Sequence, residues 1–327
     1  MSDNILLKAE GVKVYYPVNN GLFQKPSYVK AVDGVDVEIH EGEVFGIVGE
    51  SGCGKSTLGK ALCKLIEPTD GSIVFDGKEI AKLNNKEMRP IRKGIQMVFQ
   101  DPYASLNPRM SVHDVIAEPL KIHGLAKTKE EIDARVIELI QEVGLDVYHV
   151  NRYPHEFSGG QRQRIGIARA LAVQPKLIIA DEPVSALDVS IQSQVLNLMN
   201  KLKKEYNLTY IFVAHDLSVV EHISDRVGVM YLGNFVEMAD KKELYKNPCH
   251  PYTQALLSAV PIPDPTAKKE RIILEGNIPS ALNPPTGCKF HTRCPKCMGI
   301  CKEKAPERVE IAPGHEVYCH LYSQQQK

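Results

Sequence analysis

The sequence predicts an α/β protein: a parallel sheet with a β-rich start, a helical insertion and a small C-terminal region. Three observations lead there. The apolar run Val44-Phe45-Gly46-Ile47-Val48 reads as a strand and runs straight into Gly49-Glu50-Ser51-Gly52-Cys53-Gly54-Lys55-Ser56, after which a helix begins near Lys55. Lys176-Leu177-Ile178-Ile179-Ala180 is apolar beyond its lysine, as a strand buried on both faces must be, and it ends in Asp181-Glu182. Between the two, residues from about 101 to 160 carry a helical pattern with its own caps.

Residues 49–56 fit G-x-x-x-x-G-K-[ST], the phosphate-binding loop of P-loop NTPases. Gly49, Gly52 and Gly54 let the backbone N–H groups around Glu50, Ser51 and Cys53 turn inward into a concave anion nest. The following helix, with Thr57 in its first turn, points its positive end at the same spot. Lys55 adds a point charge for the β- and γ-phosphates, and Ser56 offers a hydroxyl to Mg²⁺. This is a nucleoside-triphosphate site.

Residues 6–40 read as β-rich: Leu6-Leu7-Lys8, Val12-Lys13-Val14, then Val35 to Ile39 alternating at period two. Pro17 to Gly21 reads as a loop, with Tyr15 and Tyr16 ending the first strand region; either tyrosine can pack or stack on a purine. After the phosphate loop, Leu58, Leu62 and Leu65 form a helical stripe stopped at Glu67-Pro68-Thr69-Asp70-Gly71. A strand and tight turn follow at Ser72–Gly77, and another strand, Gly94–Phe99, delivers Gln100 to a carboxyl end, where parallel sheets gather their sites. Asp101–Pro108 reads as a turn-rich link. In the insertion, Thr128 and Glu131 form a capping box, Ile132, Val136, Leu139, Ile140 and Val143 mark a buried face, and Gly144 stands where a C-cap belongs.

Ser158-Gly159-Gly160-Gln161 opens a further helix, either as a second phosphate-binding tip or as a plain Ser cap followed by glycines. Burying Asp181 and Glu182 together costs several kcal/mol unless something pairs with them. Mg²⁺ would do so for Asp181, leaving Glu182 to polarise a water. The strand Tyr210–Ala214 puts His215 at its end, and a hairpin across Gly233-Asn234 closes the domain near residue 240.

Lys+Arg and Asp+Glu both number 40, so a chain serving mainly nucleic acid is not expected. No apolar run approaches the roughly 18–20 residues that cross a bilayer, and Met1-Ser2-Asp3-Asn4 does not begin a secretory signal, so a cytoplasmic protein is expected.

In order and spacing these motifs resemble the ATP-binding subunits of ABC transporters: phosphate loop, Q-loop Gln100, signature Ser158-Gly159-Gly160-Gln161, Walker B Asp181 and Glu182, D-loop Ser185-Ala186-Leu187-Asp188 and switch His215. Asp101-Pro102-Tyr103-Ala104-Ser105-Leu106-Asn107-Pro108-Arg109, His250-Pro251-Tyr252-Thr253-Gln254-Ala255-Leu256-Leu257 and the cysteine-bearing tail resemble the oligopeptide/dipeptide importer branch. The resemblance implies an ABC ATPase domain over 1–240, with an antiparallel β subdomain and a helical subdomain at about 101–160. It implies a C-terminal extension over 241–327. Tyr16 becomes the adenine-stacking ring. Lys55, Gln100, Glu182 and His215 become the catalytic set, Ser56, Gln100 and Asp181 the Mg²⁺ ligands, and Asp188 a residue reaching across a dimer seam. Two such subunits would sandwich ATP head to tail, driving two integral-membrane permeases from the cytoplasmic face, served by an extracytoplasmic solute-binding protein. The cargo is left open among dipeptide, oligopeptide, nickel chelate or another small solute, and the pair between this chain twice or this chain with a paralogue. A nucleic-acid ABC ATPase is the rival class.

Five of the eight cysteines lie between Cys288 and Cys319, and such density without an export signal points to a metal centre. Cys294 and Cys297 suit zinc as a C-x-x-C pair. The resemblance implies instead a [4Fe–4S] cluster on Cys288, Cys294, Cys301 and Cys319, with Cys297 an extra thiol that leaves the fourth ligand open.

Overall fold

The structure, a computed structural model, describes residues 4–18, 26–260 and 271–323. In chain order the opening elements are β1 (Ile5–Val18), β2 (Ser27–His40), β3 (Val44–Val48), α1 (Lys55–Leu62), β4 (Asp70–Phe75) and β5 (Lys78–Glu79). Next come α2 (Asn85–Ile91), β6 (Ile95–Val98), α3 (Pro102–Ser105), α4 (Val112–Ile122), α5 (Lys129–Glu142), α6 (Gly159–Leu171), β7 (Leu177–Asp181), α7 (Val189–Tyr206) and β8 (Thr209–Val213). The chain continues with α8 (Leu217–Ile223), β9 (Arg226–Tyr231), β10 (Asn234–Asp240), α9 (Lys241–Lys246) and α10 (Pro251–Ser258). It finishes with α11 (Ile300–Glu303), β11 (Val309–Ala312) and β12 (His315–Val317).

The described chain forms two compact units. One comprises His40–Glu43 and Lys82–Val213 and holds β6, β7 and β8, paired in parallel with Val98 opposite Ala180 and Asp181 opposite Val213. Every residue of β7 is buried, which is why its sequence shows no alternation. The insertion helices of this unit start on side-chain caps. Ser111 caps α4, the Thr128–Glu131 box caps α5, and Ser158 with Gln161 caps α6. Gly144 follows α5 at φ +72°, a conformation that suits glycine at a helix end.

The other unit comprises Ile5–Ile39, Val44–Ala81 and Ala214–Lys327. It contains the sheet β2-β1-β4-β5 and the run β3-β9-β10-β12-β11, in which β3 and β9 are parallel and the remaining pairs antiparallel. Along β2, Val35, Val37 and Ile39 are buried at every second position, the period-two pattern of a half-buried strand.

Four local readings differ from the structure. Helix α1 stops at Leu62 because Lys64 takes a left-handed conformation (φ +55°), so Leu65 leaves the stripe and is 47% exposed. Asp101–Pro108 is not wholly a link: Asp101 accepts from the Tyr103 N–H (2.7 Å) and starts the single turn α3. Strand β1 runs past Tyr15 and Tyr16 to Val18, so Pro17 and Val18 of the loop expected at Pro17–Gly21 are strand; the rest of that stretch lies outside the described residues. The β9–β10 turn is Leu232-Gly233 (φ +44° and +84°), not Gly233-Asn234, because Asn234 already pairs with Tyr231 in the ladder. Beyond residue 300, β12 pairs onto β10, and Val309, Val317 and Cys319 make a small buried cluster that loop-like composition did not announce.

Candidate nucleotide site and cysteine centre

The phosphate loop begins where β3 ends. A Cβ on Gly49 would stand 2.2 Å from the Met230 carbonyl oxygen, and one on Gly54 2.1 Å from that of Ala31, so both positions exclude any side chain. Gly54 also takes φ +107°, which turns the chain into α1. Lys55 is 4% exposed, and its ammonium donates to the carbonyls of Gly49 (2.8 Å) and Glu50 (3.0 Å), fixing the charge on the loop itself. Cys53 is buried, and burial pushes its thiol up; it is a packing residue and not a reactive one. Ser51 and Gly52 are exposed, while Ser56 and Thr57 sit half-buried in the first turn of α1.

In the same unit, the two tyrosines separate. The Tyr15 hydroxyl hydrogen-bonds Asp33 and the Lys30 ammonium lies 5.6 Å from its ring centre, whereas Tyr16 is 43% exposed. His215 is exposed, one residue past Ala214, whose N–H donates to Ile47 (3.0 Å); Asp216 then caps α8 through Ser218 N–H (2.8 Å).

In the unit of β6–β8, Asp181 is 3% exposed at the carboxyl end of β7. The next residue, Glu182, adopts φ +44°, a conformation that costs a non-glycine residue of order 1–3 kcal/mol and collects at functional sites. Its N–H donates to Val213 (2.9 Å), the Ser185 hydroxyl donates to its carbonyl (3.0 Å), and Gln100 Nε2 donates to its carboxylate (2.9 Å). The structure thus brings Gln100 and Glu182 into direct contact beside buried Asp181, a pairing that a lone strand-end glutamine gave no reason to expect.

Ser158 caps α6, one of the two alternatives the sequence offers, and Gln161 completes a reciprocal box that the sequence reading lacks, with Ser158 N–H donating to Gln161 Oε1 (3.0 Å). Gly159 and Gly160 differ in kind. A Cβ on Gly160 would meet Ile191 at 2.3 Å, so this glycine is required for α6 to pack on α7, while Gly159 meets Leu187 only at 3.2 Å. Ser158 and Asp188 are exposed, as is Val189 at 78%. Asp188 heads α7 without a side-chain capping bond.

Cys288, Cys294, Cys301 and Cys319 come together. Burial, reinforced by the neighbouring thiols Cys301, Cys319 and Cys294, pushes Cys288 up to about 11. Burial first, then the thiols of Cys294 and Cys301, pushes Cys319 up to about 11; burial, then the thiols of Cys297 and Cys301, raises Cys294. Gathered thiols that are half-buried to buried and resist ionising singly are a donor set whose thiolates a cation would stabilise. Tetrahedral zinc, with Zn–S bonds of about 2.3 Å, would hold its sulfurs within roughly 4 Å of one another. Among the described residues, the trio of ligand atoms within 4.8 Å of one another is Glu237, Cys249 and His315, not the tail cysteines. Cys297 is exposed and its thiol turns to the Met298 carbonyl (3.5 Å). The Glu237 carboxylate, fully buried, accepts from Cys249 N–H (2.8 Å) and His250 N–H (2.9 Å) and meets His315 Nε2 (2.8 Å), which accounts for its burial by hydrogen bonding.

Residues 32–185 match the family profile described as "ABC transporter", and residues 236–301 match that described as "Oligopeptide/dipeptide transporter, C-terminal region". The chain is 59% identical to the oligopeptide transport ATP-binding protein AppF of Bacillus subtilis (strain 168), over 97% of this chain and 98% of that one. It is 53% identical to the oligopeptide transport ATP-binding protein OppF of Escherichia coli (strain K12), over 96% of each. Among solved structures it resembles the dimeric post-hydrolysis state of the ATP-binding cassette MJ0796 bound to ADP and Pi, with TM-score 0.65 and 31% identity over 72% of this chain and 98% of that one.

Proposed function

Because this chain belongs to the ATP-binding subunits of ABC transporters, with the C-terminal region of the oligopeptide/dipeptide branch, we propose that it hydrolyses ATP to power import of di- or oligopeptides through partner permeases. The observation that supports this most is Glu182, locked just past a fully buried strand with Gln100 on its carboxylate. That is the arrangement of a base held ready for a water.

The roles follow from each residue's chemistry. Tyr16 offers an open ring for the adenine to stack on. The phosphate-loop amides between Gly49 and Ser56, except that of Glu50, which donates to the Tyr252 hydroxyl (2.9 Å), and the Lys55 ammonium hold the phosphate charge, with Thr57 in the adjoining helical turn. Ser56, Gln100 and Asp181 would hold Mg²⁺, which when bound neutralises charge on the β- and γ-phosphates. Gln100 can do so through its amide oxygen, since its nitrogen is the atom that donates to Glu182. Glu182 orients the attacking water and takes its proton, and His215 senses the γ-phosphate. Ser158, Gly159, Gly160 and Gln161, with Asp188, face the nucleotide held by a second ATPase subunit, either a copy of this chain or a paralogue. No helix among the described residues is long and apolar enough to cross a membrane, so the work of transport falls on integral-membrane partners, which this subunit would meet at the cytoplasmic face. Delivery by an extracytoplasmic solute-binding protein completes the reading. Mild-detergent purification of the tagged chain should bring down two integral-membrane proteins; recovery with ribosomes or DNA alone would reject it.

The four clustered thiols Cys288, Cys294, Cys301 and Cys319 would hold a [4Fe–4S] cluster, with Cys297 outside the set. When bound, such a cluster supplies a covalent fastening for the tail segments that bear the thiols. Anaerobically purified protein should be brown, with broad absorption in the violet and blue that bleaches on chelation. Colourless protein with stoichiometric zinc would reverse the assignment.

A further inference from the structure

The C-terminal extension reaches the phosphate loop directly through Tyr252 and Arg293, and by way of the β9–β10 turn through Lys289. The Arg293 guanidinium forms a two-pronged ion pair with the Glu50 carboxylate, Nη1 to Oε2 at 2.7 Å and Nη2 to Oε1 at 3.1 Å. The Glu50 N–H donates to the Tyr252 hydroxyl (2.9 Å), so one loop amide is committed to the extension. A second brace runs through Lys289, whose ammonium donates to Asp33 (2.8 Å) and to the Leu232 carbonyl (3.0 Å) in the β9–β10 turn. The neighbouring Gly233 N–H donates in turn to Cys53 of the phosphate loop (2.8 Å). Between the two basic residues, Phe290 is 1% exposed and packs edge-on against Tyr231 (5.2 Å) and tilted on Tyr252 (5.4 Å). Turn bonds stiffen the segment itself, with Arg293 N–H on Phe290 (3.0 Å) and Cys288 N–H on Cys301 (2.8 Å).

A carboxylate inside an anion nest is a liability, because it repels the phosphates that the nest must hold. A forked guanidinium cancels that charge and fixes the carboxylate's orientation, which a lysine does less well. We propose that Arg293 is a positioning residue of the nucleotide site, neutralising Glu50 and bracing the phosphate loop from the C-terminal extension. The inference rests on the nucleotide reading of that loop. It gives the extension a part in nucleotide binding, beyond carrying cysteines.

Calorimetric titration of the full chain with MgADP tests it. R293Q should bind roughly tenfold more weakly, since an uncancelled charge now faces the phosphates. R293K should fall between R293Q and the parent. The double variant E50Q/R293Q should return to within about threefold of the parent, because the charge to be cancelled is gone. That rescue separates charge cancellation from general loosening, which a second substitution would only deepen. Should R293Q fold poorly by near-ultraviolet circular dichroism, R293K against E50Q/R293Q gives the same ordering. R293Q within twofold of the parent, or a loss that E50Q does not relieve, would overturn the inference. No binding by the parent chain would instead sink the nucleotide reading beneath it.

Discussion

Glu182→Gln is expected to lower the rate of MgATP hydrolysis by at least about a hundredfold, the low end of what a positioned general base contributes. ATP affinity should stay within a few fold of the parent. The reasoning is geometric. Glutamine has the same shape, so the left-handed backbone at residue 182 and its N–H bond to Val213 are preserved, and the side chain can still meet Gln100. What disappears is the oxygen that takes a proton from water. Phosphate release under saturating ATP measures the first quantity and equilibrium titration the second. Hydrolysis at the parent rate would remove Glu182 from the mechanism and leave its strained backbone without a function.

Lys55→Ala is expected to act one step earlier. Lys55 is nearly buried and its ammonium is fixed by two loop carbonyls, so its charge is already in place when triphosphate arrives. A charge-assisted contact is worth about 1.5–3 kcal/mol, and Lys55 serves two phosphates, so a loss of about a hundredfold or more in affinity is expected. Titration of folded variant with MgATP should show little or no saturable binding. Because alanine also leaves the Gly49 and Glu50 carbonyls short of a donor, the melting temperature must be followed alongside. Binding at parental strength in a folded variant would mean that Lys55 is structural only.

What was legible in the sequence was local. The phosphate loop, the buried β7 with its terminal carboxylates and the caps at Thr128 and Ser158 are specified by residues within a few positions of one another, and they appear where the pattern puts them. The misses were of two kinds. Left-handed backbone at Lys64, Glu182 and Leu232 has no residue-type signal, since none is glycine or asparagine, so the sequence pattern runs α1 too long and sets the hairpin turn one residue late. Contacts that cross the chain were silent as well. Arg293 to Glu50 and Lys289 to Asp33 join residues more than 240 apart, and neither arginine nor lysine in a cysteine-rich tail advertises a carboxylate partner. Gly160 was legible as a helix opening, but its steric reason, Ile191 of α7, needed the packed helices.

The central claim is that one chain supplies a triphosphate-gripping loop and, at Ser158 to Gln161, a helix tip offered to its neighbour's nucleotide. Sedimentation of the Glu182→Gln protein with and without MgATP, alone and mixed with a paralogous ATPase subunit, tests this most directly. A pair should form only with MgATP and should be lost when Ser158 is replaced by arginine. Protein that binds MgATP yet pairs with neither itself nor the paralogue would contradict the claim.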